Sequence, residues 1–234
     1  MIFLKNRYIE LTMAVLLLAG VWLLSREVAQ AVNAPAEETP VIVIDAGHGG
    51  SDPGMVGIGD LKEKGINLTI AKMLEDVLRQ AGYQVVMTRE EDAGLYDAES
   101  TNKKAQDMQR RCEVIAQAKP ALTVSIHQNS YTDPAVCGPQ VFYYSDSAEG
   151  EQLAKVLQEH LNQELQVERP REAKGNTSYY LLKRSEGVLN IVECGFLTNP
   201  KEAELLTSQE YQQKIAKAIA GGIEEYLKAG QLAG

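Results

Sequence analysis

Cysteine is scarce in this 234-residue chain, and its three cysteines, Cys112, Cys137 and Cys194, lie far apart. Without a CxxC pair, a zinc finger and a thioredoxin-like redox motif are both excluded. The thiols read as buried and free, with one disulfide and a spare thiol as the alternative. Basic charge is also short. Lys and Arg number 23 against 32 Asp and Glu, for a net charge of −9. A nucleic-acid binder needs a basic footprint for the phosphates, so that class is excluded. Any hold on an anionic polymer has to come from local contacts rather than bulk charge. The chain has no internal repeat and no HExxH pair. Its glycine-rich stretch, Gly47-His48-Gly49-Gly50, has no Lys-Ser/Thr after it and so is no phosphate loop.

A long apolar run is missing too. The longest, Leu11 to Leu24, is 14 residues and is interrupted by Thr12 and Gly20. A spanning helix needs about 20 apolar residues. Lys5 and Arg7 precede the run, and a basic start before an apolar stretch reads as an export signal. Ala29-Gln30-Ala31 offers a small-x-small cleavage site. Residues 1–31 are therefore either a cleaved signal peptide or an uncleaved membrane anchor. Residues 32–40, with two prolines and no apolar period, read as a linker.

What remains has ordinary globular composition, 44% apolar and 24% charged, and is long enough to bury a full core. Val41 to Ile44 is a continuous β-branched run, the mark of a buried strand. Ile66, Ile70, Met73, Leu74, Val77 and Leu78 recur at helical spacing over 63–81, and Gly82 closes that helix. Tyr83–Thr88 reads as a second strand, 105–118 as a helix ended by Pro120, and Leu122–Ile126 as a third strand. Gln140–Tyr144 alternates as a strand. Ser147 caps a helix reaching about Leu165, and a loop with Pro170 and Gly175 follows. Tyr179–Leu182 and Val188–Val192 read as two more strands. Pro200 opens a last helix to about Leu227. Strands alternating with helices predict an α/β fold: a single domain over 41–228, with a mostly parallel twisted sheet of about six strands flanked by helices.

In such sheets functional groups gather at the carboxyl ends of strands. Asp45 and His48 follow the first strand, His127 the third and Glu193 the last, while Glu63 opens the first helix. Two imidazoles and a carboxylate with a vacant position suit a catalytic zinc ion. Hydrogen-bonded structural roles stay open for the histidines, and Glu63 is also a favourable charge on a helix dipole. His160 sits mid-helix among polar residues and reads as a solvated surface residue.

Four ordered motifs carry a resemblance. Val43-Ile44-Asp45-Ala46-Gly47-His48-Gly49-Gly50 with Asp52-Pro53-Gly54 resembles the opening motif of the zinc N-acetylmuramoyl-L-alanine amidases called amidase 3. Lys62-Glu63-Lys64 with Asn67-Leu68 resembles the second motif, Ser125-Ile126-His127-Gln128-Asn129 the third, and Val192-Glu193-Cys194-Gly195-Phe196-Leu197-Thr198-Asn199 the fourth. Ala46 and Gln128 depart from the commoner proline and alanine, and neither matches a ligand. The resemblance implies a Zn2+ cofactor held by His48, Glu63 and His127, with Glu193 as the catalytic carboxylate. It implies hydrolysis of the amide between the lactyl group of N-acetylmuramic acid and L-alanine in peptidoglycan. Asn129 and Arg111 are candidate substrate contacts. Gly49 and Gly50 are expected to let a glycan chain come close to the metal.

The Glu-Cys-Gly-Phe form, the Arg110-Arg111 helix and the N-terminal apolar segment look most like the germination-specific branch acting on spore cortex. The alternatives are a zinc-retaining, non-catalytic peptidoglycan-binding module and a zinc peptidase of the stem peptide. The stretch between His127 and Glu193 is short for an added domain or a blocking helix, which predicts an open groove. The expected setting is extracytoplasmic, with room for an activating protein partner.

Overall fold

The computed structural model describes residues 39–233, together with Met13, residues 16–22 and Ser25. The chain divides into two units, residues 1–38 and 39–234. Most of the export reading of 1–31, and most of the linker reading, falls outside the described residues. Residues 16–22 are helical. Among the described residues no helix is long and apolar enough to cross a membrane.

The second unit alternates strands and helices. β1 (Val41–Ala46) leads through α1 (Glu63–Gln80) to β2 (Gln84–Met87), and α2 (Lys103–Ala118) leads to β3 (Leu122–Asn129). Then come β4 (Gln140–Tyr144), α3 (Ala148–Glu164), β5 (Lys174–Asn176), α4 (Tyr180–Arg184), β6 (Leu189–Phe196), α5 (Pro200–Thr207) and α6 (Gln209–Ala233). The six strands form one sheet in the order β2-β1-β3-β6-β4-β5. β1 pairs in parallel with β2 and β3, and β3 with β6. β4 runs antiparallel to β6 and parallel to β5.

Alternation along the strands divides the interior in two. Ile42 and Ile44 of β1, Val124 and Ile126 of β3, and Val192 and Cys194 of β6 face the larger core, which α1, α3 and α6 cover. Val43, Leu189 and Ile191 face the opposite side, where Ile115 of α2 and Leu181 of α4 meet them. Helix ends follow their capping residues. The Ser147 side chain accepts from Gly150 N, and that of Asn199 from Lys201 N and Glu202 N, with Pro200 in the first turn. Lys119, left-handed at φ 46°, stops α2 just before Pro120.

Three expectations need correction. Tyr179–Leu182 is not a strand. Residues 180–184 form a short helix whose Leu181 and Leu182 are buried beneath the sheet. The strand between β4 and β6 in sequence is instead β5, Lys174–Asn176, which carries no β-branched or aromatic residue and is set by pairing with β4. The last helix is two, broken at Ser208, which has extended backbone.

Candidate metal centre and cleft

The order β2-β1-β3 reverses direction between β1 and β3, and a crevice opens at the carboxyl ends of strands at such a switch. His48 lies just beyond β1 and His127 near the end of β3. β6 is the next strand, and Glu193 is the direct cross-strand neighbour of His127. Glu63 comes from the first residue of α1. The pairing of β3 with β6 shifts register between His127 and Asn129, right at the site.

Glu63 is the hub. Its Oε1 lies 2.9 Å from His127 Nδ1 and accepts from Gln128 N at 3.0 Å and Asn67 Nδ2 at 3.2 Å. Its Oε2 lies 3.2 Å from His48 Nε2 and accepts from Met55 N at 2.7 Å. His48 Nδ1 in turn meets Asp52 Oδ2 at 3.0 Å. The two imidazole rings stand edge to face, 4.9 Å apart. One ligand atom from each of His48, Glu63 and His127 can be chosen so that all lie within 4.8 Å of one another. Two nitrogens and a carboxylate oxygen suit zinc, and Asp52 supplies the outer hydrogen bond that would fix the His48 ring as a ligand.

The electrostatics agree with that donor set. Burial works against charge on Glu63, but both imidazoles outweigh it and hold the carboxyl well below its usual range. Burial also opposes charge on His48, yet Glu63 and Asp52 raise it to about 9. Glu193 behaves oppositely. Burial pushes its carboxyl up to about 7, with Glu63 adding to the rise and the two histidines opposing it. Its Oε2 is buried with no hydrogen-bond partner among the described residues. A carboxyl poised near neutrality with a free oxygen is suited to proton transfer.

The backbone around the histidines is tightly held. Gly47 is required because a Cβ there would overlap the His127 ring. His48 sits at φ 63°, a strained value for a non-glycine residue. Two arginines hold this turn. Arg89 Nε donates to Ala46 O at 2.8 Å and its Nη2 to Gly47 O at 3.0 Å. Arg111 Nη1 donates to Ala46 O at 2.8 Å and its Nη2 to His48 O at 2.7 Å.

Arg111, a candidate substrate contact, is 1% exposed. It also donates to Asp45 Oδ1 at 2.6 Å, to Asp107 Oδ2 at 2.7 Å and to Thr88 Oγ1 at 3.5 Å. Asn129 stays at the end of β3, where its side chain accepts from Ser130 N. At Gly49 and Gly50 a Cβ would strike the neighbouring 93–96 segment, at Ala93 and at Tyr96. His160 is not simply solvated, since its Nε2 meets Glu225 of α6 at 2.9 Å.

Sequence reasoning gave no role to Arg89, Asp52 or Tyr179. Arg89 and Tyr179 stand outside the four motifs. Asp52 lies within one, but its bond to His48 depends on a turn that residue spacing does not reveal. Beside His48 and His127 lies a cleft of about 230 Å3, lined by Ile191 and Glu193, by α2 and by residues 179–181.

The N-acetylmuramoyl-L-alanine amidase family (Amidase_3) matches residues 42–225. The germination-specific N-acetylmuramoyl-L-alanine amidase of Bacillus subtilis (strain 168) is 38% identical over 189 residues, covering 80% of this chain and 79% of that protein. Among solved structures, the CwlD amidase from Clostridioides difficile, in complex with the GerS lipoprotein, aligns with a TM-score of 0.79 and 38% identity, covering 82% of this chain and all of that one. The amidase AmiC2 of Nostoc punctiforme aligns with a TM-score of 0.70 and 35% identity, covering 81% of this chain and 97% of that one.

Proposed function

The chain belongs to the Amidase_3 family of N-acetylmuramoyl-L-alanine amidases, and from this premise we propose that it works with one zinc ion held by His48, Glu63 and His127 and with Glu193 as its proton carrier. Its reaction is hydrolysis of the amide between the lactyl group of N-acetylmuramic acid and L-alanine in peptidoglycan. The observation that carries the assignment of roles is the contrast among the acids. Glu63 is ionised and bonded on both oxygens, while Glu193 is raised to about 7 and has an unpartnered oxygen.

When bound, zinc supplies Lewis-acid polarisation of water and of the scissile carbonyl. Glu193 takes a proton from the attacking water and returns it to the departing amine of L-alanine. The products are a lactyl carboxylate and a free peptide amine. Asp52 keeps the His48 ring oriented, and Arg89 and Arg111 hold the strained turn that presents it. Gln128 N, Asn67 and Met55 N hold Glu63 in place.

Metal content and cleavage measured together test this. The purified chain should hold about one zinc, and His127→Ala should lose it. Glu193→Gln should keep the zinc while cleavage falls by a factor on the order of 100 or more, the scale of lost general acid–base catalysis. A metal-free wild-type chain would overturn the zinc site, and loss of zinc in Glu193→Gln would make Glu193 a ligand.

We also propose that residues 1–31 export the catalytic unit, as signal peptide or anchor, to the extracytoplasmic side. Lys5, Arg7 and the 11–24 run support this. Protease added to wall-less cells should degrade the domain while a cytoplasmic control survives; protection of both would remove the export reading. A role in spore cortex is supported by the germination-specific relative. An activating protein partner is supported by the CwlD structure, which is a complex with the GerS lipoprotein. Cleavage by the purified chain alone, at the rate seen in its native extract, would remove the need for that partner.

A further inference from the structure

Two buried amides join the three segments that carry the metal donors. Asn67 stands one helical turn after Glu63 on α1, so the two side chains share a helix face. Its Nδ2 donates to Glu63 Oε1 at 3.2 Å and to Gly47 O, the carbonyl just before His48, at 3.1 Å. Gln128 follows His127 on β3. Its side chain falls on the strand face of Val124 and Ile126, which α1 covers. There its Nε2 donates to Asn67 Oδ1 at 3.2 Å, while its backbone N donates to Glu63 Oε1 at 3.0 Å. Asn67 is fully buried, and Gln128 is 4% exposed.

The chemistry of the neighbours fixes both amides. Glu63 Oε1 and Gly47 O are acceptors, so Asn67 must turn its NH2 toward them and its carbonyl away. That carbonyl is buried and needs a donor. Gln128 Nε2 supplies it. The buried Cys194 thiol is also in hydrogen-bond contact with the Gln128 amide. The arrangement leaves Gln128 Oε1 buried with no hydrogen-bond partner among the described residues. Without the Gln128 side chain the orphan moves, because Asn67 Oδ1 loses its donor. Asn67 is then held at one end only, the end that steadies Glu63 and the His48 turn.

We propose that Asn67 and Gln128 are positioning residues for the metal: the pair sets the spacing of His48, Glu63 and His127, and Gln128 acts through Asn67. The inference rests on the zinc reading above and extends it to two residues that hold no metal. The three donors come from the end of β1, the start of α1 and the end of β3, so no single element fixes their distances. The amide pair ties these elements close to the donors themselves. Gly47 adjoins His48, Gln128 adjoins His127, and Asn67 lies one turn from Glu63. For the metal-free fold the Gln128 side chain is nearly neutral, because its loss exchanges one orphan oxygen for another. For zinc it is not, since outer partners that orient the ligands set the affinity.

Zinc affinity and metal-free stability, measured side by side on the full chain, test this. Competition with a chromogenic chelator gives the affinity, and urea denaturation of the chain stripped of metal gives the stability. Asn67→Ala should weaken zinc binding about tenfold or more, the scale of a lost outer partner, and Gln128→Met, one bond further out, about three- to tenfold. The double variant should bind zinc no more weakly than Asn67→Ala alone, because Gln128 then has nothing left to hold. The urea midpoint of metal-free Gln128→Met should match that of the wild-type chain. Undiminished zinc affinity in Gln128→Met, or losses that multiply in the double variant, overturn the inference and leave the zinc site standing. A Gln128→Met chain that fails to fold, or whose metal-free midpoint drops, makes the pair an element of the fold and overturns it too. A wild-type chain that binds no zinc brings down the metal reading itself, and this inference with it.

Discussion

At the scale of single residues, the site rests on buried side chains behind His48 and His127. Asp45 is fully buried and accepts from Arg111, Ser125 and Thr88. Burial raises its pKa, but Arg111, Ser125, His127 and Thr88 together outweigh burial and lower it from 3.8 to about 2. Because the folded value is the depressed one, the stabilisation is present above the ordinary aspartate pKa. It is lost as pH falls through about 2. Asp45→Asn should therefore cost about 3–5 kcal/mol at pH 7, the scale expected when one partner of a buried pair is removed. Urea denaturation of metal-free wild-type and variant protein at pH 7 and near pH 2 checks this. The gap should shrink at the acid end, and a gap independent of pH would contradict the role given to the Asp45 charge. Residue types at strand ends were enough to single out His48, His127 and Glu193 from the sequence. Spacing alone does not tell that the donors of Arg111, a candidate substrate contact, turn inward to Asp45 and His48 O.

At the scale of elements, the helices and strands that position the site were the legible ones. β1, α1 and β3 have continuous or periodic apolar patterns, and each lies within a few residues of its expected bounds. Elements defined by their neighbours were not legible. The Lys-Gly-Asn strand has no intrinsic strand preference and forms by pairing with β4. Tyr179-Tyr180-Leu181-Leu182 reads as a strand by composition, yet coils into a short helix that buries two leucines against the sheet. α1 places Glu63, and its hold on the sheet comes from buried Ile70, Leu74 and Leu78. Leu74→Ala should cost about 2–5 kcal/mol, as large-to-small changes in a packed core do. Lys72→Ala, on the exposed face of the same helix, should stay within about 0.5 kcal/mol. Denaturant midpoints compare the two directly. Equal effects would mean that the apolar face of α1 is not what holds it.

For the whole molecule, topology is what joins distant motifs. His48, Glu63, His127 and Glu193 span 146 positions of sequence. They meet because β1, β3 and β6 are neighbours in the sheet and α1 starts at the same edge. No residue spacing encodes that meeting; the sheet order does. The central claim is hydrolysis of the lactyl–L-alanine amide, and mass spectrometry of peptidoglycan digested by the zinc-loaded chain tests it most directly. The same analysis of cortex from spores lacking the chain tests its developmental setting: muramic lactam should be missing there, and unchanged lactam would remove the spore role alone. For the digest, the account predicts free stem peptides with a new N-terminal L-alanine and glycan with bare lactyl groups. Cuts within the stem, with the lactyl–alanine amides intact, would contradict it.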